Sequence, residues 1–151
     1  MKTFKDTSYG DLTGKLGEGY IDVSSESLTS LKGSPKECST FYCKWNNLTS
    51  LEGGPTKVED TYSCSENPHL ETLEGGPTNV GGSFYVIKCP KLLDPLTEII
   101  KYQIKANRYY FGEYSDFGIT FSKIEKEFNQ RAGLDKRVTR SSMRTLLGLD
   151  K

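Results

Sequence analysis

The sequence predicts an α+β chain: a short β-solenoid of about four coils with a C-terminal helical cap and tail. Three observations carry this expectation. One phrase recurs three times, as LTSLKGSP from Leu28 to Pro35, LTSLEGGP from Leu48 to Pro55 and LETLEGGP from Leu70 to Pro77. Offsets of 20 and 22 residues are the period of stacked coils, none of which can bury its apolar side without a neighbour. Only 34% of the 151 residues are hydrophobic, which suits a narrow array better than a globule with one thick core. After the last copy the apolar spacing changes, with Leu93, Leu96, Ile100 and Ile104 three or four residues apart, as on one face of a helix.

In chain order, residues 1–19 read as an N-terminal cap over the open end of the first coil and 20–93 as the solenoid. Residues 94–151 read as the helical cap, an aromatic segment and a basic helical tail. Upstream of each phrase a strand pattern repeats, as Ile21-x-Val23, Phe41-x-Cys43, Tyr62-x-Cys64 and Phe84-x-Val86. Alternation of this kind sends those side chains inward. Each pair is followed by Glu26, Asn46, Asn67 or Cys89, and then by Leu28, Leu48, Leu70 or Leu92. Gly53-Gly54-Pro55 and Gly75-Gly76-Pro77 join a position free of the Cβ penalty to a fixed φ, which reverses the chain compactly. Three residues past each proline stand Cys38, Val58 and Val80, expected to seal the far side of the coil.

These positions resemble the leucine-rich repeat, whose hallmark is L-x-L-x-x-N/C-x-L, and the resemblance covers roughly residues 20–96. It implies that Asn46 and Asn67 bond to backbone at the bend. Glu26 and Cys89 depart from the pattern, as terminal repeats do. The wording LTSLEGGP is similar to that of short leucine-rich repeat proteins of tailed bacteriophages and some bacteria. That resemblance implies a phage-encoded, non-enzymatic interaction module that inhibits or redirects a bacterial host protein, such as a defence or nucleic-acid-processing factor.

All four cysteines fall in repeat slots: Cys43 and Cys64 second inward, Cys38 with Val58 and Val80, Cys89 with the asparagines. They therefore read as reduced core thiols. A zinc site needs paired ligands at short spacing, and the chain has no C-x-x-C and one histidine, His69. The run from Gly14 to Gly19 reads G-x-x-G-x-G, the wrong order for a dinucleotide loop. No Ser/His/Asp, Cys/His or paired-carboxylate arrangement assembles, so no catalytic residue, metal or cofactor is expected. No apolar run approaches the ~20 residues of a membrane span, and residues 1–10 lack a signal-peptide core. The expected location is cytoplasmic, in the bacterial host if the gene is a phage's.

Pro95 after Asp94 is a helix start, and the helix is expected to lie on the last coil as its cap. Tyr109, Tyr110, Phe111, Tyr114 and Phe117 then either fill the junction between cap and tail or present rings to a partner. Ser122 to Glu125 forms a capping box opening a helix to about Gln130, and a last helix covers Ser141 to Leu149. Residues 121–151 hold 8 Lys/Arg against 4 Asp/Glu, whereas 1–93 hold 9 against 12. The basic tail gives the alternative function: a nucleic-acid-binding accessory protein.

The outward strand positions and their neighbours name the candidate partner-binding set. It comprises Tyr42, Lys44, Trp45, Glu66, Tyr85 and Ile87 on the repeats, Tyr109, Tyr110 and Tyr114 in the aromatic segment, and Arg137, Arg140 and Arg144 in the tail. Tyr42, Trp45 and Tyr85 are the expected anchors, since large rings bring contact area with few rotatable bonds. Four strands give a face about 14 Å by 12 Å, on the order of 170 Å² projected against ~800 Å² per partner in a standard interface. A tight partner must therefore also engage the aromatic segment, the tail or a second copy of the chain.

Overall fold

The computed structural model describes residues 2–17, 19–93, 95–112 and 118–120. Over these residues the chain winds as a β-solenoid of about five turns, built mostly of parallel strands with very little helix. The widest ladder stacks β2 (Tyr20–Asp22), β5 (Thr40–Tyr42), β7 (Tyr62–Ser63), β9 (Ser83–Ile87) and β10 (Arg108–Gly112) in parallel. It ends on antiparallel β11 (Gly118–Thr120). A second ladder stacks β4 (Glu37–Cys38), β6 (Lys57–Val58) and β8 (Asn79–Val80), and β1 (Lys2–Thr3) pairs with β3 (Leu28–Ser30) at the N-terminal end.

Stacking follows from the inward residues. Phe41, Tyr62 and Phe84 stand one above another with ring centroids 5.4 and 5.5 Å apart, and Phe4 extends the column at 6.1 Å from Phe41. Separations in this range favour aromatic pairs in offset or tilted geometry. Beside this column run the leucine pairs Leu28/Leu31, Leu48/Leu51 and Leu70/Leu73, and the far-side residues Cys38, Val58 and Val80, all buried. One member of the column is a mismatch. The Tyr62 hydroxyl is buried without a hydrogen-bond partner among the described residues, with the weak Cys43 thiol beside it, where the neighbouring coils carry phenylalanine. Tyr62→Phe is therefore expected to leave stability unchanged or raise it by about 1 kcal/mol, measured by urea denaturation. A clear loss of stability contradicts this.

At the bends after β5 and β7, asparagine closes the backbone. Asn46 Oδ1 accepts from the Glu26 and Leu28 amides at 3.0 and 2.9 Å, while its Nδ2 donates to the carbonyls of Val23, Cys43 and Lys44 at 3.0, 3.1 and 3.2 Å. Asn67 repeats the arrangement one coil on, accepting from Leu48 and donating to Cys43, Cys64 and Ser65. In the next coil the Cys89 thiol takes over, 3.5 Å from the Cys64 carbonyl. Buried backbone at three successive bends is thus satisfied by one side-chain slot.

The coil count and the helix differ from expectation. α1 (Pro95–Lys101) does not end the array, because the chain runs on into β10, which pairs with β9 over five residues. Tyr109 and Phe111 take the places of Phe84 and Val86, and Ala106 follows Val80 in a ladder continued by the Lys105 bridge to Asn79. The helix therefore sits between β9 and β10, in the stretch where the coils that begin with β2, β5 and β7 carry the L-x-x-L phrase. Its Ile99 and Ile100 are buried with Ile104, whereas Leu93, expected on the buried face, is 76% exposed. Glu98 fastens the helix to the coil below by accepting from the Thr72 hydroxyl at 2.6 Å and the Leu73 amide at 2.9 Å.

The N-terminal segment covers the other end. Phe4 is fully buried, Leu16 bridges to Glu37, and β1 covers β3, which leaves β2 as the uncovered edge. That edge is closed by side chains instead. The Asp22 amide donates to the Tyr9 hydroxyl at 3.1 Å, and the Ser24 amide to Asp22 Oδ1 at 2.9 Å. Occupied amides remove the template that an open edge offers to a second chain.

Candidate binding surface

The outward side of the widest sheet carries the distinctive surface. Register places Asp22, Tyr42, Ser63, Tyr85 and Tyr110 in one row across five strands. Tyr20 joins the row from the N-terminal edge, its ring 5.2 Å from Tyr42 at 89°. At the other end Tyr85 and Tyr110 stack at 4.5 Å and 6°. Between the two pairs β7 offers only small residues, and Ser63 and Ser65 are nearly covered, at 4% and 6% exposure. Their hydroxyls are used internally, Ser63 with Ser65 and Ser65 accepting from the Ile87 amide at 3.0 Å. Along this row the tyrosine rings, and not the serine hydroxyls, meet solvent. Burial, followed by nearby Asp22, raises the Tyr20 phenol above its usual range, and burial with stacked Tyr110 does the same for Tyr85. Both stay neutral at physiological pH, available as donors and acceptors.

Beside the row lies a corner shared by successive coils. Ser25, Trp45, Glu66 and Lys88 all adopt positive φ, between 53° and 58°, a conformation that costs a non-glycine residue about 1–2 kcal/mol. Trp45 is 53% exposed there. The Lys44 ammonium sits 5.0 Å from the Trp45 ring and 5.4 Å from the Tyr42 ring, within cation–π range of both. One coil on, Glu66 and Lys88 pair at 3.9 Å.

Tyr42, Lys44, Trp45, Glu66, Tyr85 and Tyr110 are thereby brought onto one face. Ile87 shares the face but is mostly covered, at 9% exposure. Tyr109 is corrected: it points into the core, its hydroxyl donating to the Ile104 carbonyl at 2.7 Å and accepting from the Ala106 amide at 2.8 Å. Strand parity decides this, since neighbours on β10 face opposite sides and Tyr110 takes the outward position. Tyr114, Arg137, Arg140 and Arg144 lie outside the described residues. Tyr20 was missed by the sequence reading, although it sits one residue before inward Ile21 and the same alternation marks it outward.

The four cysteines are free and buried. Burial pushes the Cys38 thiol up to about 12 and Cys89 to about 11, and raises Cys43 and Cys64 as well. Native protein at pH 8 is expected to give no reaction with Ellman's reagent, and all four thiols after denaturation. Rapid labelling of any of them in the native state contradicts their placement. No group of three or more potential metal ligands occurs among the described residues, and His69 is exposed. No described helix is long and apolar enough to cross a membrane.

No family model, curated protein or solved structure matches the chain. The class is therefore defined by the molecule itself: a β-solenoid of about five turns with a row of tyrosines across its widest sheet.

Proposed function

We propose that the chain is a non-enzymatic protein-interaction module whose binding face is the outward side of the widest sheet. The observation that carries this is the row Tyr20, Tyr42, Tyr85 and Tyr110 laid over small hydroxyl residues. On protein-binding surfaces rigid amphipathic rings such as tyrosine supply contact area at little entropic cost. Five strands and the antiparallel sixth lengthen the face to about 24 Å. At a width of about 12 Å this is about 290 Å² projected, and about two to three times that in accessible area, which approaches the ~800 Å² per partner of a standard interface.

The leucine-rich wording of the repeats supports a phage setting, in which the partner is a bacterial host protein that is inhibited or redirected in the host cytoplasm. Affinity capture from bacterial lysate tests this. Tagged protein is expected to retain a partner that Tyr42→Ala/Tyr85→Ala loses while its circular dichroism is unchanged. Retention of the same partner by the double variant sinks the proposal.

A further inference from the structure

We infer that the energetic centre of this face is the Tyr42–Lys44–Trp45 cluster, and that it recognises an acidic peptide segment of the partner, an Asp or Glu carboxylate flanked by an apolar side chain. The inference rests on the proposed function above and adds the chemistry of what is bound.

Charge bookkeeping on the face selects the partner's sign. Glu66 and Lys88 neutralise each other. Asp22 is turned to its own edge, accepting from the Ser24 amide and approached by the Tyr20 hydroxyl at 3.5 Å. Lys44 has no carboxylate within ion-pair distance among the described residues, unlike Lys2, Lys57 and Lys88, which pair with Glu26, Glu37 and Glu66. Its ammonium rests over two rings, which contribute attraction without cancelling the charge. A cation held this way still calls for an anion. Exposed Arg108 on β10 carries the same sign, and Asp60, close enough to act on the Tyr85 phenol, carries the opposite one at that end of the face.

The cluster is also preorganised. The Lys44 amide donates to Ser24 Oγ at 3.1 Å, and the Lys44 carbonyl accepts from the Ser25 amide at 3.0 Å and from Asn46 Nδ2 at 3.2 Å. The Trp45 amide donates to the Ser65 carbonyl at 3.2 Å. Backbone fixed on both sides loses little freedom on binding, and Trp and Tyr beside a cation are the residue types on which interface energy concentrates. A carboxylate alone meets Lys44; an adjacent apolar group covers the exposed Trp45 ring and excludes water from the ion pair, strengthening it.

A displayed library of random twelve-residue peptides, selected on the purified full chain, tests this with three variants checked for unchanged thermal melting. Peptides enriched on the parent protein are expected to carry Asp or Glu next to apolar residues and to bind Lys44→Gln at least about tenfold more weakly. Selection on Lys44→Glu is expected to switch the enriched charge to Lys or Arg. Peptides that require Tyr42 and Tyr85 but show no acidic bias, or ignore Lys44→Glu, overturn the acidic assignment and leave the face standing. Peptides that bind Tyr42→Ala/Tyr85→Ala as well as the parent, or an absence of any enriched peptide, overturn both. A fluorescent twenty-nucleotide oligothymidylate that outcompetes the enriched peptides in a Lys44-dependent manner replaces the peptide by nucleic acid and overturns it too.

Discussion

Gly75→Ala is expected to cost about 3–5 kcal/mol, a large part of the 5–15 kcal/mol that holds a typical domain together. Two independent causes add at this corner. Gly75 has φ +84°, which an alanine adopts only at a cost of about 1–2 kcal/mol. A Cβ there would also lie 2.4 Å from Glu52 Cα and 2.6 Å from Glu52 N, atoms of the preceding coil's backbone that no rotamer change can move. The coils must separate locally, and the leucine column beside them loses contact. Gly10→Ala is the control. Its φ is +72° but nothing lies within 4 Å of the added carbon, so only the conformational cost, about 1 kcal/mol, should appear. Urea denaturation of both variants checks the difference, and equal losses would show that coil-to-coil approach contributes nothing.

Asn46→Ala is the second large effect, expected to cost about 3 kcal/mol or more. Five hydrogen bonds end on this side chain, linking the bend of one coil to the strand and bend of the coil before it. Alanine leaves the Glu26 and Leu28 amides and the Val23 carbonyl short of partners, in a site where Asn46 itself is 2% exposed, while the Cys43 and Lys44 carbonyls keep Asn67 Nδ2 and the Ser25 amide. An unsatisfied buried group costs about 1–3 kcal/mol, and water entering the cavity recovers only part of the sum. The loss should reach the binding face as well, because one of the five bonds ends on the Lys44 carbonyl, which is left with the Ser25 amide alone. Faster amide exchange at Glu26 and Leu28 in the variant, ahead of global unfolding, is the accompanying signature. Unchanged exchange at those two amides argues against the hydrogen-bonded bend.

Much of this was legible because the coil repeats its side-chain slots. Period-two alternation and the recurring leucines placed Phe41, Cys43, Leu48, Leu51 and Val58 inward, and all are buried. The same logic assigned the cysteines to the core. The turn that begins with β10 was hidden because the phrase that follows β2, β5 and β7 is replaced after β9 by α1, stretching the step from Phe84 to Tyr109 to 25 residues where earlier steps are 20 to 22. A seven-residue helix at the end of a repeat array reads as a terminator until the strand beyond it is seen to pair. Parity in Tyr109-Tyr110-Phe111 was equally opaque. Three consecutive aromatics carry no alternation of their own, and only pairing with β9 fixes which ring faces outward.

The face itself was half visible. Tyr42 and Tyr85 followed from the repeat, but the row emerged only when β2 and β10 supplied Tyr20 and Tyr110 at its two ends. Ring-to-ring contact across adjacent strands depends on register, which the inward pattern and the turn geometry of neighbouring coils set together and composition alone does not encode.

Calorimetric titration of a captured partner into three proteins tests the binding face most directly: the parent, Tyr42→Ala/Tyr85→Ala, and Lys57→Ala/Asn79→Ala on the second ladder. Loss of two anchor rings is expected to weaken binding about a hundredfold or more, while the second-ladder variant binds as the parent does. Undiminished affinity of Tyr42→Ala/Tyr85→Ala, or a loss confined to Lys57→Ala/Asn79→Ala, would place the interface elsewhere on the solenoid.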